Sequence, residues 1–197
     1  AVDKISTKYF LQISPDINFL YKDLDLYKNL AKKLDDKFAA IGPRFLNVKS
    51  KSHKQIKQYK EYDMIESIHG SCMFINKKCF EEIGRFDDNF FLYFEETDYC
   101  KRAKKIGYKS YQINVIKVKH NVGSSVDYKN EEEEKKYKNL QNWHFIWSKY
   151  YYYSKNYGSL LSIIYFIPVL IRTFVKIFYY QIIKNHNEAE KYKIRLD

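Results

Sequence analysis

Cysteine is scarce in this 197-residue chain: Cys72, Cys79 and Cys100 make an odd count, and their spacing matches no metal-binding pattern. Free thiols in a reducing compartment are therefore predicted. There is no internal repeat and no low-complexity linker, so the length reads as one domain of ordinary size plus an appendage. Acidic residues are missing from Lys149 to Lys184, where five basic ones stand. The uninterrupted apolar run within that stretch, Leu160 to Ile171, has twelve residues, against the roughly 20 that a membrane-crossing helix needs. The chain also opens without methionine, almost directly in a strand candidate, which reads as a piece of a longer protein.

What is present is a 45% hydrophobic composition, enough for a real core, and an unusual aromatic content with twenty tyrosines. The formal charge of +11 favours anionic partners: nucleotide phosphates, nucleic acid or an anionic membrane surface. A nucleic-acid binder would gather its basic residues on one face with aromatic platforms. Here the lysines are spread through every segment, and nucleic acid is not expected.

Lys8 to Ser14 reads as a strand stopped by Pro15. From Tyr21 to Phe38, apolar residues recur at three- or four-residue steps, which predicts an amphipathic helix. Ala39 to Asn47 predicts a short strand broken by Gly42-Pro43, and Lys49 to Lys60 a basic surface loop. Ser67 to Asn76 predicts a buried strand with Gly70-Ser71-Cys72 in its middle, where small residues suit close approach of a backbone or ligand. Lys77 to Ile83 predicts a helix stopped by Gly84, and Tyr108 to Val118 alternates like a strand. Strands alternating with helices predict an α/β layer structure. A boundary is expected after Val126, followed by aromatic and basic helices broken at Gly158 and kinked into two at Pro168.

The most informative stretch is Phe90 to Cys100, where five apolar or aromatic residues run into Glu95, Glu96 and Asp98. The run reads as a buried strand, or a tight approach, that delivers acids into a cleft. A helix then ends at Gly107. The acids fall in its first turn, where the helix dipole favours negative charge, and Asp98 is spaced to pair with Arg102. A purely structural role for all three is the plain alternative.

Taken in order, Gly42-Pro43-Arg44, Gly70-Ser71-Cys72-Met73, Phe80 to Asp87, Phe90 to Cys100, Gly107-Tyr108, and His120 with Gly123 and Ser124 resemble the family 2 glycosyltransferases. The closest likeness is to the bacterial rhamnosyltransferase-like branch. The resemblance covers roughly Lys8 to Gly158. It implies a GT-A fold, a nucleotide-sugar donor, Mn²⁺ or Mg²⁺, and inverting transfer to a glycan or lipid-linked acceptor in surface polysaccharide synthesis. The expected location is the cytoplasmic face of the plasma membrane. Ser14-Pro15-Asp16 lies where the family carries its metal motif, so Asp16 is the expected first ligand; Ser14 stands where Asn or Asp is usual. His120 matches a histidine that helps hold the metal. Glu95-Glu96 matches an acid pair whose second member is the catalytic base, here Glu96 in place of Asp. Gly70 and Ser71 are assigned to the donor-sugar pocket, with tight strand packing as the alternative. Asp98 is assigned either to the acceptor or to Arg102. His53, His69, His144 and His186 receive no role. The family's nucleotide-binding first unit has no counterpart here.

Two further readings stay open: a non-catalytic basic membrane- or nucleic-acid-binding module, and a degenerate inactive transferase. The apolar segment after Gly158 is expected to bind a membrane surface without crossing it, with packing on the α/β domain or a dimer contact as the alternatives.

Overall fold

A computed structural model describes residues 2–21, 23–47, 60–121 and 126–196. The basic loop expected at Lys49 to Lys60 lies almost wholly outside the described residues, as do His53, Gly123 and Ser124. The chain divides into two compact units, Ala1–Asp87 with Glu95–Asp127, and Asp88–Phe94 with Tyr128–Asp197.

The first unit is an α/β structure, as expected, with a mixed sheet and flanking helices consistent with part of a nucleotide-sugar transferase fold. Its strands are β1 (Tyr9–Ile13), β2 (Ile17–Tyr21), β3 (Phe38–Phe45), β4 (Tyr62–Ile65), β5 (Cys72–Asn76) and β6 (Lys109–His120). The order is β1-β5-β3-β6-β2, with β4 also on β6. Among the described residues, β3 and β6 pair in parallel and the other pairs are antiparallel. The long β6 holds β4 along Ser110 to Ile113 and β2 along Lys117 to His120.

Both faces of the sheet are covered, which explains why β5 is buried at every position. Side chains alternate across a strand. Phe74 therefore joins Tyr27, Leu30 and Ala31 of α1 (Leu24–Lys33) in one core layer. Met73 and Ile75 face the other way, onto α2 (Lys77–Ile83) and α3 (Glu95–Lys105), with Phe80, Tyr99 and Ala103. All three cysteines are free and buried. Gly84 and Gly107 stop their helices at φ 93°, in the left-handed region that glycine enters without penalty.

Four local expectations need correction. Gly42-Pro43 does not break β3; the strand continues with a shift of register at Pro43. Gly70 and Ser71 are not mid-strand but form the turn before β5. Phe90 to Phe94 is not a strand: Tyr93 and Phe94 have φ of 67° and 70°, incompatible with extended backbone. Strands β2 and β4 were not anticipated.

The second unit is helical, with α4 (Glu131–Tyr157), α5 (Ser159–Ile182) and α6 (His186–Lys193). Asn130 caps α4 by accepting from Glu133 N–H at 2.9 Å, and Glu133 accepts from Lys129 N–H at 2.8 Å, a reciprocal cap. The 88–94 segment lies along α4. Ser148 Oγ donates to Leu92 O at 2.6 Å, and Phe90 and Phe94 meet Tyr151 and Tyr152 at 4.8 and 5.4 Å between ring centroids. Gly158 does separate α4 from α5. Pro168 does not split α5, which is a single 24-residue helix. It is long and apolar enough to cross a membrane by length and composition, so the expectation that it is too short does not hold.

Candidate active site

Strands β1, β3 and β6 run in one direction and end at one edge of the sheet, a consequence of the pairings. In α/β folds such an edge is where ligands bind. Asp16 lies in the turn after β1, and His120 is the last residue of β6. Pairing of β2 with β6 sets Ile17 opposite His120, which carries Asp16 onto the histidine. Asp16 Oδ2 accepts from His120 Nε2 at 3.1 Å, with side chains 7% and 13% exposed. The backbone around them is fixed. Asn121 N–H donates to Asp16 O at 3.0 Å, and Asn47 both donates to His120 O and accepts from His120 N–H, at 2.8 and 3.0 Å.

The turn His69-Gly70-Ser71 stands beside this pair. Ser71 N–H and Oγ both reach His69 Nδ1, at 3.3 and 2.7 Å, so Nδ1 accepts and the ring proton lies on Nε2. The His69 ring packs on Phe45 at 4.6 Å and edge-on to His120 at 5.2 Å. Burial, and then repulsion from His120, lowers its pKa to about 4 against the pull of Asp16. His69 is therefore a neutral imidazole at pH 7. It was missed from sequence because a lone histidine carries no signal. Only the fold shows that it abuts His120.

On its other side the same turn meets the acids. A Cβ on Gly70 would lie 3.4 Å from Glu95 Oε1 and 3.6 Å from Glu96, so glycine leaves room at close approach. Gln12 of β1 and Ser14 just after it hold the loop: Gln12 Nε2 donates to Gly70 O at 3.1 Å and Ser14 N–H to Ser71 O at 2.8 Å. Glu95 and Glu96 occupy the first turn of α3, where the dipole favours ionisation, yet burial outweighs it. The Glu96 carboxyl is pushed up to about 7 by burial and then by the Glu95 charge, while Thr97 Oγ1 donates to it at 3.2 Å. Burial also raises Glu95. A carboxyl titrating near neutrality suits proton abstraction at physiological pH.

Asp98 points elsewhere. It is fully buried and accepts from Arg102 Nε at 2.7 Å, and Arg102 in turn donates to Ile83 O at 2.6 Å and to Arg85 O. Asp98 thus ties α3 to the end of α2 and does not line the site. A cavity of about 690 Å³ lies in the helical unit, against Tyr93, Lys138, Asn142 and Phe145; none of the expected site residues borders it.

Among the described residues, Asp16 Oδ1 and His120 Nδ1 are buried without a partner: one carboxylate oxygen, which suits Mg²⁺ or Mn²⁺, and one imidazole nitrogen, a softer donor. Nδ1 lies across the ring from the Nε2–Oδ2 contact, so one ion would meet both side chains only if that contact opened. Among the described residues no group of three or more His, Cys, Asp or Glu is gathered for a metal. Two protein ligands are few for a cage but ordinary for Mg²⁺ or Mn²⁺, which fill their remaining positions with water and substrate phosphates.

The mixed sheet with its flanking helices is consistent with part of a nucleotide-sugar transferase fold. The chain is 25% identical over 139 residues to the low-salt glycan biosynthesis hexosyltransferase of Haloferax volcanii, covering 61% of this chain and 45% of that protein. It is 31% identical over 58 residues to the N-acetylglucosaminyl-diphospho-decaprenol L-rhamnosyltransferase of Mycobacterium tuberculosis, covering 29% of this chain and 19% of that protein. The chain thus spans less than half the length of these curated relatives, both of which are glycosyltransferases. No family model matches it.

Proposed function

We propose that this chain carries the catalytic edge of an inverting family 2 glycosyltransferase of GT-A fold. It would move a sugar from a nucleotide-sugar donor to a hydroxyl of a glycan or lipid-linked acceptor, as in surface polysaccharide synthesis. The carrying observation is the turn His69-Gly70-Ser71, flanked by Glu95 and Glu96 on one side and by Asp16 and His120 on the other. Glu96 takes the acceptor hydroxyl proton as the new bond to the anomeric carbon forms, and the bond to the nucleoside diphosphate breaks with its electron pair leaving on phosphate oxygen. Asp16 and His120 would hold Mn²⁺ or Mg²⁺, which supplies charge neutralisation of the departing diphosphate when bound. Neutral His69, its Nδ1 engaged by Ser71, buttresses the His120 ring. The relatives' names support transfer of a hexose or a rhamnose, and the second names an acceptor on a diphospho-decaprenol.

Release of nucleoside diphosphate from a panel of nucleotide sugars, assayed in the whole protein, tests this reading. Chelation should abolish turnover, added Mn²⁺ or Mg²⁺ should restore it, and Asp16→Asn should weaken Mn²⁺ binding measured by calorimetry. Turnover indifferent to chelator and to Asp16→Asn would refute the metal assignment. No turnover with any donor, in a protein that binds donor and Mn²⁺, would favour the inactive-transferase reading.

A further inference from the structure

Helix α5 is built inside out for a helix that packs on a water-soluble core. The residues it buries against its own unit are Ser162, Phe166 and Thr173. The two hydroxyls are turned back onto the helix, Ser162 to Gly158 O and Thr173 to Val169 O, each at 2.8 Å. The opposite face carries Leu160, Ile164, Ile171, Phe174, Phe178 and Ile182, all between 55% and 73% exposed. At 3.6 residues per turn these six fall within an arc of about 80°, in a stripe roughly 33 Å long. No polar side chain interrupts it. Such a continuous exposed patch marks a surface made to be covered.

The cations sit away from this stripe. Lys149 of α4 lies over Tyr165 and Phe166, 5.5 and 5.8 Å from their ring centroids. Lys176 donates to Tyr192 OH of α6 at 3.0 Å. From Lys149 to Lys184 there are five basic residues and no acidic one, so α5 and the end of α4 before it carry positive charge alone. An apolar stripe backed by cations and tyrosines on the other side of the helix fits an interfacial helix, its apolar face toward acyl chains and its basic side toward anionic headgroups.

A crossing orientation is disfavoured by what lies along the helix. Helix α6 packs on α5 through the Tyr180–Tyr192 stack at 5.7 Å, and it bears Glu188, Glu190, Lys191 and Lys193. A spanning α5 would draw these charges into hydrocarbon, which is costly. An in-plane helix leaves them in water. We propose that the outer face of α5 lies in the plane of an anionic bilayer, at the headgroup–acyl boundary, with α4 and α6 on the water side. The proposal stands on this helical unit and does not depend on the transfer reaction.

Vesicle flotation of the 197-residue chain tests it. Vesicles containing phosphatidylglycerol should carry the chain up, pure phosphatidylcholine vesicles less so, and salt should weaken binding. The double variant Ile164→Asp/Phe178→Asp changes only exposed side chains. It should keep the melting temperature and lose binding by at least about tenfold. Undiminished flotation of that variant would overturn the proposal. So would a lipid-free dimer, by sedimentation, that the double variant turns into a monomer, since the stripe would then belong to a second copy. Depth distinguishes the orientations. Fluorophores placed singly through Ile164→Cys, Ile171→Cys and Phe178→Cys should be quenched equally by a shallow lipid-borne quencher. Deep burial of the middle position with shallow ends would mean crossing, and would overturn the in-plane arrangement.

Discussion

Glu96 is the side chain on which the transferase reading turns. Replacing it by Gln keeps the volume and removes the base. Glu96→Gln should cut turnover by about 10²–10⁴-fold, the usual range for a general base, with donor binding largely kept. Near-normal turnover would shift the assignment to Glu95. The same burial has a stability signature. The Glu96 carboxyl stands at about 7 in the folded protein against an ordinary value of 4.5. Between those values the folded state holds a proton that the unfolded state has released. Stability should therefore be greatest below about 4.5 from this group, and fall as pH rises through 7. Denaturant unfolding at a series of pH values should show that slope, flattened in Glu96→Gln; an unchanged slope would mean that the carboxyl is not perturbed. Much at this level was legible. Asp16 and His120, 104 residues apart, were singled out from local pattern and resemblance, and the fold makes them neighbours. His69 was not, because its place depends on Phe45 and His120, which reach it only through the sheet.

Among the strands and helices, periodicity found what is regular and long. Helix α1 was anticipated from apolar spacing, α2 from its Gly84 stop, and α3 from both apolar spacing and Gly107. What was missed is short or half-covered: β2 and β4 are five and four residues long and lie on the outer side of β6, where no clean alternation is imposed. The 90–94 run misled because continuous apolarity is also what an irregular segment needs when it docks on aromatic side chains. Strand β3 offers a sharper test. A Cβ on Gly42 would lie 2.6 Å from Ile68 Cγ2 and 3.3 Å from Cys72 O, and one of those contacts is backbone. Gly42→Ala should destabilise the unit by about 1–3 kcal/mol, the typical cost of overpacking, read as a lowered melting temperature. An unchanged melting temperature would show that Ile68 turns aside freely.

Taken whole, the chain was expected to change character once, near Val126. Composition marks that change because the aromatic and basic helices begin there. It does not mark the excursion at Asp88–Phe94, which belongs with the second unit although α3 and β6 of the first unit follow it. Only contacts made more than fifty residues away, such as Ser148 to Leu92, define it. A chain cut after Asp127 should therefore lose more than its helices. Phe90 and Phe94 would be stripped of Tyr151 and Tyr152, and the shortened protein should be cleaved preferentially within 88–94 under limited proteolysis. Equal resistance there in the long and short forms would show that the run is held without α4.

That excursion also bears on inheritance. Two units joined by a single linker can be exchanged between genes by one crossover, each arriving complete. Here the thread passes out and back before it leaves for good, and the returning strand of sequence begins with Glu95 and Glu96. A recombinant that swapped only the C-terminal helices would put foreign side chains against the residues immediately preceding both acids. The helices and the 88–94 segment are therefore expected to vary together, since Leu92, Phe90 and Phe94 are held by Ser148, Tyr151 and Tyr152.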